Sequence, residues 1–414
     1  MSVWTPDWRI KINGVEYTNL TLSNLTITSG RTDIYRQPVA GYCRLQVKNN
    51  DLSQITFDVN DGVTVEVKND AGSWVILFGG NITDIAIAVA SAGIIGISQT
   101  ISITALGALA RLPKAIFQGN LSQGTDGAQM LEVLETVLFA NWNLVPAGET
   151  WATFDPTVMW EDALNTGLGE VDVGDYTLDS QNSLDTDVYS LASTIANSGL
   201  GYLYESANGL INYADSTHRT EYFSANGYVD LDARHALAGN ITTKKRSGDV
   251  RNSITLQYTT SGNSEVTDTD PASIAVYGEL AQTIRTYLKN QGDAEDQAAF
   301  YLALRAYPQA LFDSVTFALG NPEIDEIDRT SMLSVFMGMP INLQNLPANM
   351  NNGEFQGFVE GWTFQATVSD IKLTMTVSPL AFSLQAFRWN SVPVTEYWNT
   401  LSNTLTWEQA TIVA

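Results

Sequence analysis

The stretch that decides the fold is Ile85–Ala110, IAIAVASAGIIGISQTISITALGALA, which contains no charged residue. Its length alone would permit a membrane-spanning helix. Its apolar residues, however, alternate with small or polar ones, at Ile85, Ile87 and Val89 and again at Ile101 and Ile103. A period of two is typical of β-strands, and the polar triplet 98–100 has the composition of a turn. We therefore predict a pair of strands and no stable membrane insertion.

These two strands would carry no charge on either face. Neutral apolar surface is easier to bury against a partner than charged surface. We therefore predict that the pair lies in a subunit interface, with candidate contact residues Ile85, Ile87, Val89, Ile101 and Ile103.

Further strands precede this pair. Trp8–Ile12 and Val15–Thr18 flank Asn13-Gly14, which is a strong hairpin signal. Strands at this spacing with short turns predict a small barrel or sandwich over residues 1–110. Strands return between Ile254 and Val377, and they predict a second β unit over residues 244–382.

The remaining segments are of other kinds. Residues 111–243 predict a mixed α/β domain, with helices at Ala128–Phe139 and Asp185–Asn197. Within the second β unit, Glu265–Pro271 has the composition of an exposed acidic loop, and Asp293–Tyr307 predicts a helix capped by Asp293. Residues 383–414 predict an extended arm. The predicted fold class is thus mainly β, with two barrel or sandwich units and an α+β insertion.

The charge balance excludes several functions. The chain has 21 Lys and Arg against 45 Asp and Glu, a net charge of −24. Nucleic-acid binding and docking on anionic lipid both need clustered cations, so neither is expected. Cys43 is the only cysteine, which excludes an intrachain disulfide and a multi-cysteine zinc site. The start of the chain lacks a basic, apolar signal peptide, and we expect folding in the cytoplasm.

The predicted arm contains an internal repeat. Trp389-Asn-Ser-Val is echoed by Trp398-Asn-Thr-Leu, and Trp407 follows at the same spacing of nine. Such an arm is too short to bury three indoles against itself. Two interpretations stay open: the arm folds back on its own domain, or its tryptophans anchor in pockets of a partner.

The search for catalytic residues finds few candidates. Ser216, His218 and Asp215 contain the chemical groups of a hydrolase triad, but they are sequence neighbours, and a triad needs convergence in space. Carboxylate pairs such as Glu161-Asp162 and Asp325-Glu326 are expected by chance in so acidic a chain. We predict no catalytic residues.

No cofactor motif emerges either. Asp268, Asp270 and Glu279 match three positions of a calcium loop, but Ser273 stands where the sharp turn requires glycine. The sequence contains neither a P-loop nor a dinucleotide-binding glycine motif. We predict neither a metal site nor a cofactor.

Several stretches, taken in order, resemble minor tail and hub proteins of tailed phages, in particular the late-control-D type of baseplate hub. The likeness covers about residues 8–382. It rests on Ile27–Ile34 with Pro38–Cys43, Phe78-Gly-Gly-Asn-Ile-Thr-Asp84, Gly209–Asp215, Val250–Leu256, Ser273–Gly278 followed by Asp293–Tyr307, and Phe358-Val-Glu-Gly-Trp362 with Val377-Ser-Pro379.

The resemblance implies a specific assembly. Each β unit is then tail-tube-like, and a homotrimer offers six such units. That ring joins the tail tube or a distal tail protein to a spike, fibre or other tip protein. The chain is then a component of the distal virion tail, assembled in the host cytoplasm. DNA passes through without specific binding, and residues 383–414 lock neighbouring subunits. A contractile and a non-contractile tail both remain open.

Two other functions compete with the structural one. Aromatic faces stack on sugars, so the many Trp and Tyr residues permit a receptor or glycan-binding tail protein. A cell-wall-degrading tail enzyme is the second alternative. Glycan binding and zymography on the purified protein separate these functions from a structural hub.

Overall fold

The computed structural model describes residues 4–32, 36–91, 97–141, 151–154, 169–237, 241, 243–244, 246–259, 264–308, 311–350 and 353–379. The predicted mainly β fold class is confirmed. Residues up to 106 form seven strands: Trp8–Ile12 (β1), Val15–Glu16 (β2), Leu20–Gly30 (β3), Tyr42–Asn49 (β4), Gly62–Lys68 (β5), Trp74–Ser91 (β6) and Ile97–Leu106 (β7).

The opening hairpin forms as predicted. Ile12 pairs with Val15, and Asn13 and Gly14 between them have φ values of 51° and 75°. A two-residue turn with both φ values positive matches the right-handed twist of the strands, which is why Asn-Gly is favoured there. This turn therefore fixes the register of the first two strands.

The uncharged stretch forms strands, as its period of two predicted. Ile85 of β6 pairs with Ile103 of β7, and Ile87 pairs with Ile101. Our placement of a turn at residues 98–100 was wrong, since all three belong to β7 and extend the strand pair. Among the described residues, no helix combines the length and the hydropathy that a membrane crossing requires.

The acidic middle of the chain is mixed, as predicted. Its elements are Ile116–Leu121 (β8), Gly124–Thr125 (β9), Asp126–Asn141 (α1), Thr177–Leu178 (β10), Gln181–Asp187 (β11), Val188–Ser198 (α2), Tyr202–Glu205 (β12), Ile211–Ala214 (β13), His218–Asn226 (α3), Val229–Asp232 (β14) and Thr243–Lys244 (β15). Asp187 begins α2 by accepting the N–H of Ser190 at 2.8 Å. Such a cap satisfies one of the donors left free at a helix start.

A small three-stranded sheet follows. It contains Ser253–Tyr258 (β16), Ser264–Thr269 (β17) and Ala281–Arg285 (β18), with the helices Pro271–Tyr277 (α4) and Gln291–Arg305 (α5). The acidic loop predicted at Glu265–Pro271 is wrong, because β17 pairs with β16 and Asp270 then caps α4. The helix α5 is present, but Asp293 lies inside its first turn and Asn290 is the cap residue. The first error arises from reading acidic composition without the alternation of Val266 and its neighbours.

The last elements complete a large sheet. They are Leu311–Ala318 (β19), Glu326–Leu333 (α6), Pro340–Gln344 (β20), Phe355–Thr367 (β21) and Ile371–Pro379 (β22). The main path of the sheet runs β15-β19-β22-β21-β3-β4-β7-β6-β5-β1-β2, with β20 on β21 and β14 on β20. Pairing of β3 with β21 thus joins the first strands of the chain to the last.

Two hydrophobic cores result. The first core belongs to the large sheet and combines residues of 10–105 with residues of 312–377, together with Tyr202, Tyr204, Ala214, Leu231 and Ala233. The second core combines residues of 109–213 with residues of 254–306. The strands β16–β18 therefore pack with the middle of the chain, whereas the predicted domain of residues 244–382 groups them with β19–β22.

Candidate functional site

The hairpin of β12 and β13 separates the two cores. Successive residues of a strand point to opposite faces. Tyr202 and Tyr204 accordingly belong to the first core, while Leu203 and Tyr213 belong to the second. The polar side chains buried around this hairpin are the best-defined candidate site, and we call the region the inter-core junction.

A buried ion pair lies at the inter-core junction. Glu360 of β21 is 1% exposed and accepts bonds from both terminal nitrogens of Arg219, at 2.7 and 3.0 Å. Its carboxylate also accepts Nε of Arg31 at 2.7 Å and the hydroxyl of Ser378 at 2.6 Å. The Arg219 guanidinium lies 4.6 Å from the centre of the Tyr202 ring. One carboxylate thereby connects the sheet to the first turn of α3.

The environment of Glu360 keeps it ionised. Burial acts to raise the pKa of Glu360, but the charges of Arg219 and Arg31 outweigh burial and hold that pKa well below its usual range. Burial likewise acts to lower the pKa of Arg219, and Glu360 more than reverses this. A charge pair removed from water stabilises a fold only when its polar atoms have hydrogen-bond partners. The Glu360 carboxylate meets this condition because it accepts four hydrogen bonds.

A second buried carboxylate, Glu205 at the end of β12, behaves differently. It accepts the backbone N–H groups of Gly41 and Leu109, the latter at 3.0 Å. Burial raises the pKa of Glu205 to about 7. A Cβ at the neighbouring Gly107 would clash with the carboxylate of Glu205, which would then have to shift. Glu205 thus ties the hairpin to two loops of the first β unit.

The hydrolase triad suggested by residues 215–218 does not assemble. His218 is 3% exposed, and its Nδ1 lies 3.0 Å from Asp172. Phe154 stacks on the imidazole with ring centres 3.9 Å apart. Asp215 instead accepts the backbone N–H groups of Thr217 and His218, at 2.8 and 3.1 Å. These side chains organise the turn that leads into α3.

The remaining acidic candidates have structural positions. Asp325 caps α6 by accepting the N–H of Asp328. Two residues of the calcium pattern have other positions in the fold. Asp268 belongs to the strand β17, and Asp270 caps the helix α4. The described part of the chain contains no group of three or more His, Cys, Asp or Glu side chains that could hold a metal ion. Glu161-Asp162 lies outside the described residues.

The five predicted interface residues divide by exposure. Ile101 and Ile103 are buried in the chain's own first core, and Ile85 is half-buried against it. Ile87 and Val89 keep 49% and 62% of their surface exposed. Burial by the chain itself therefore leaves Ile101 and Ile103 no surface for a partner. The interface stays a prediction for Ile87 and Val89.

The predicted anchors Trp389, Trp398 and Trp407 lie outside the described residues, and their role stays a prediction. The sequence reasoning missed the junction residues Arg219, Glu360 and Glu205. One signal was present, since Glu360 interrupts the apolar run Phe358–Trp362 in a strand. A charged residue inside a buried strand usually has a charged partner. The partner itself lies 141 residues away and has no local signal.

The fold can be compared with solved structures. The 43 kDa tail protein of prophage MuSo2 from Shewanella oneidensis superposes with a TM-score of 0.57 at 13% identity, over 91% of this chain and 99% of that one. The chain has the fold of phage tail proteins. A tail protein from Neisseria meningitidis MC58 also superposes with a TM-score of 0.57, at 14% identity, over 90% and 97% of the two chains. No family model and no curated protein matches the sequence.

Proposed function

We propose that the chain is a structural, non-enzymatic hub of a phage tail tip. The observation that carries this proposal is the fold shared with two tail proteins over at least 90% of each chain. The buried Asp172–His218 contact also supports a structural role, because a catalytic base must reach its substrate.

In this proposal three copies form a ring that continues the tail tube. Two tube-like β units per chain, within residues 1–110 and 244–382, supply six units. Residues 111–243 form a mixed α/β domain that packs with β16–β18, and the arm 383–414 contacts a neighbouring subunit. Closed rings pair exposed sheet edges between subunits, which protects them from uncontrolled association. Among the described residues the large sheet ends in β2, β15 and β14, and these are the edges that such a ring would have to cover.

The exposed end of the β6–β7 hairpin supports a subunit contact. Ile87, Val89 and Ile97 are 49%, 62% and 58% exposed, and no charged side chain lies between residues 85 and 110. Exposed apolar surface of this kind often marks an interface. We propose that a second copy of the chain covers it.

The proposed partners above and below the ring are a tail tube or distal tail protein and a spike, fibre or other tip protein. DNA would cross the ring without specific binding, since a net charge of −24 repels phosphate. A reconstruction with a strongly basic lumen would contradict this passage model. The proposed location is the distal end of the virion tail, after assembly in the host cytoplasm.

Native mass spectrometry of the purified chain tests the ring. We expect a species of three chains, and a chain that is monomeric at every concentration would contradict the proposed trimer. Truncation after residue 382 tests the arm: we expect loss of the trimer with the fold intact. If the truncated chain assembles like the full chain, the locking role of Trp389, Trp398 and Trp407 is wrong.

A further inference from the structure

A cavity of about 340 Å³ opens where three parts of the chain meet. Its walls come from the segment after β3, from the region of β12 and α3, and from β18 with α5. Four arginines line it, and Asp215 is the one acidic residue of the lining: the arginines are Arg31, Arg219, Arg285 and Arg305. Such a concentration of cations is unusual in a chain of net charge −24.

One wall of this arginine-lined cavity is the edge of a sheet. Among the described residues β18 pairs with β16 alone, so its other edge is open. The consecutive residues 282–285 all line the cavity. Side chains of a strand alternate between its faces, so four consecutive lining residues mean that the strand's edge faces the cavity.

The backbone pairing shows which groups that edge offers. Thr286 donates its N–H to the carbonyl of Gln257 in β16 at 2.9 Å. In a parallel pair every second residue bonds to the same neighbour. Ile284 and Gln282 therefore also face β16, and the N–H and C=O groups of Thr283 and Arg285 point away from it. These are the groups that a further strand would use.

Positive charge lies on both faces of this edge. Arg305 of α5 donates to the side-chain carbonyl of Gln282, which places it on the helix side of the sheet. Arg285 is exposed, and it lies an odd number of positions from Gln282 along the strand. Its side chain is therefore on the opposite face of the sheet. The hydroxyl of Ser216, in the cavity wall, is buried and has no hydrogen-bond partner among the described residues.

We propose that the edge of β18 accepts an extended acidic segment of a partner polypeptide as an added strand. Backbone pairing with Thr283 and Arg285 would hold the segment, and its carboxylates would contact Arg285 and Arg305, because Arg31 and Arg219 already bind Glu360. A peptide backbone fits such an edge because it offers matching donors and acceptors, which a nucleic acid does not. The proposal rests on the structural role above, since an assembly protein requires sites for its neighbours.

The test uses the full chain and the labelled peptide Val-Glu-Thr-Glu-Val-Glu, with binding followed by fluorescence anisotropy. We expect saturable binding that weakens with salt. Arg285→Gln should weaken it about tenfold, the loss expected for about 1.4 kcal/mol of a charge-assisted contact. Arg44→Gln, a change at an exposed arginine of β4 outside the cavity lining, is the matched control and should bind like the original chain.

Two further probes separate strand addition from simple charge attraction. A peptide N-methylated at every residue keeps its carboxylates but has no backbone N–H to donate from either edge, so it should lose binding. Equal binding of that peptide, or of one with Gln in place of Glu, overturns the proposal. So does displacement of the peptide by inorganic phosphate or by a single-stranded oligonucleotide at equal concentration. Peptide binding is measured on purified protein, so its failure is distinguishable from failure of the tail-tip role, which is tested on virions.

Discussion

Replacing Glu360 by Gln should destabilise the chain more than any other conservative change at the inter-core junction. The carboxylate accepts four side-chain bonds, three from Arg219 and Arg31 and one from Ser378. The Glu360→Gln change would leave two guanidinium groups without a counter-charge, on side chains that are only 5% and 10% exposed. Breaking a buried ion pair in this way costs about 3–5 kcal/mol.

The assay is urea unfolding of the full chain, followed by tryptophan fluorescence. The midpoint should fall with little change in slope, since the folded surface is the same. Replacing the pair together, by Glu360→Met with Arg219→Met, should cost less than the two single changes added, because well-packed apolar side chains can replace a buried pair. Asp7→Asn, in the exposed Lys68–Asp7 pair, is the control and should leave the midpoint unchanged.

The pH dependence of Glu360→Gln gives a second check on the same reasoning. The folded-state pKa of Glu360 lies below its ordinary value, so its contribution is present above about pH 4.5 and is lost as the pH falls further. The difference between the original chain and Glu360→Gln should therefore shrink in acid. The reasoning is refuted if the urea midpoint of Glu360→Gln near pH 7 equals that of the original chain. It is also refuted if the double variant loses as much stability as the two single variants added together.

Three further predictions concern the junction and the hairpin. The pKa of Glu205 is raised from 4.5 to about 7, so the free energy of unfolding should fall as the pH rises between these values. Glu205→Gln should reduce that slope by up to about 1.4 kcal/mol per pH unit. If urea titrations at several pH values give the same slope for the variant and the original chain, the assignment is contradicted. Gly107→Ala should lower the thermal midpoint because its Cβ meets Glu205, whereas Gly248→Ala, with no positive φ and open space around it, should cost less; the reverse order would refute the steric argument. Ile87→Asp with Val89→Asp should abolish the trimer in native mass spectrometry at an unchanged thermal midpoint, and retention of the trimer would exclude this contact.

The sequence predicted the strands better than it predicted their association. Alternation around Ile85 and Ile101 and the Asn13-Gly14 turn are local signals, and both strands and hairpin formed where those signals stood. Pairing of β3 with β21 brings together residues more than 330 positions apart, such as Gly30 and Gly361. No local pattern specifies such a contact, and the grouping of β16–β18 with the second core was missed for the same reason.

The candidate site was the less predictable part. The sequence placed His218 beside Asp215, but no local signal identified the partner of the His218 ring, which is Asp172, 46 residues before it. Glu205 carries no sequence signal at all, because its burial depends on the docking of two loops around Gly41 and Gly107. Apolar character also proved ambiguous at Ile101 and Ile103, since core residues and interface residues follow the same alternation.

The most direct test of the proposed tail-tip role is antibody-labelled electron microscopy of the parent virions. The account predicts label confined to the distal end of the tail. Label along the whole tail would instead indicate a tube or sheath subunit, and virions that carry no label would contradict the structural role itself.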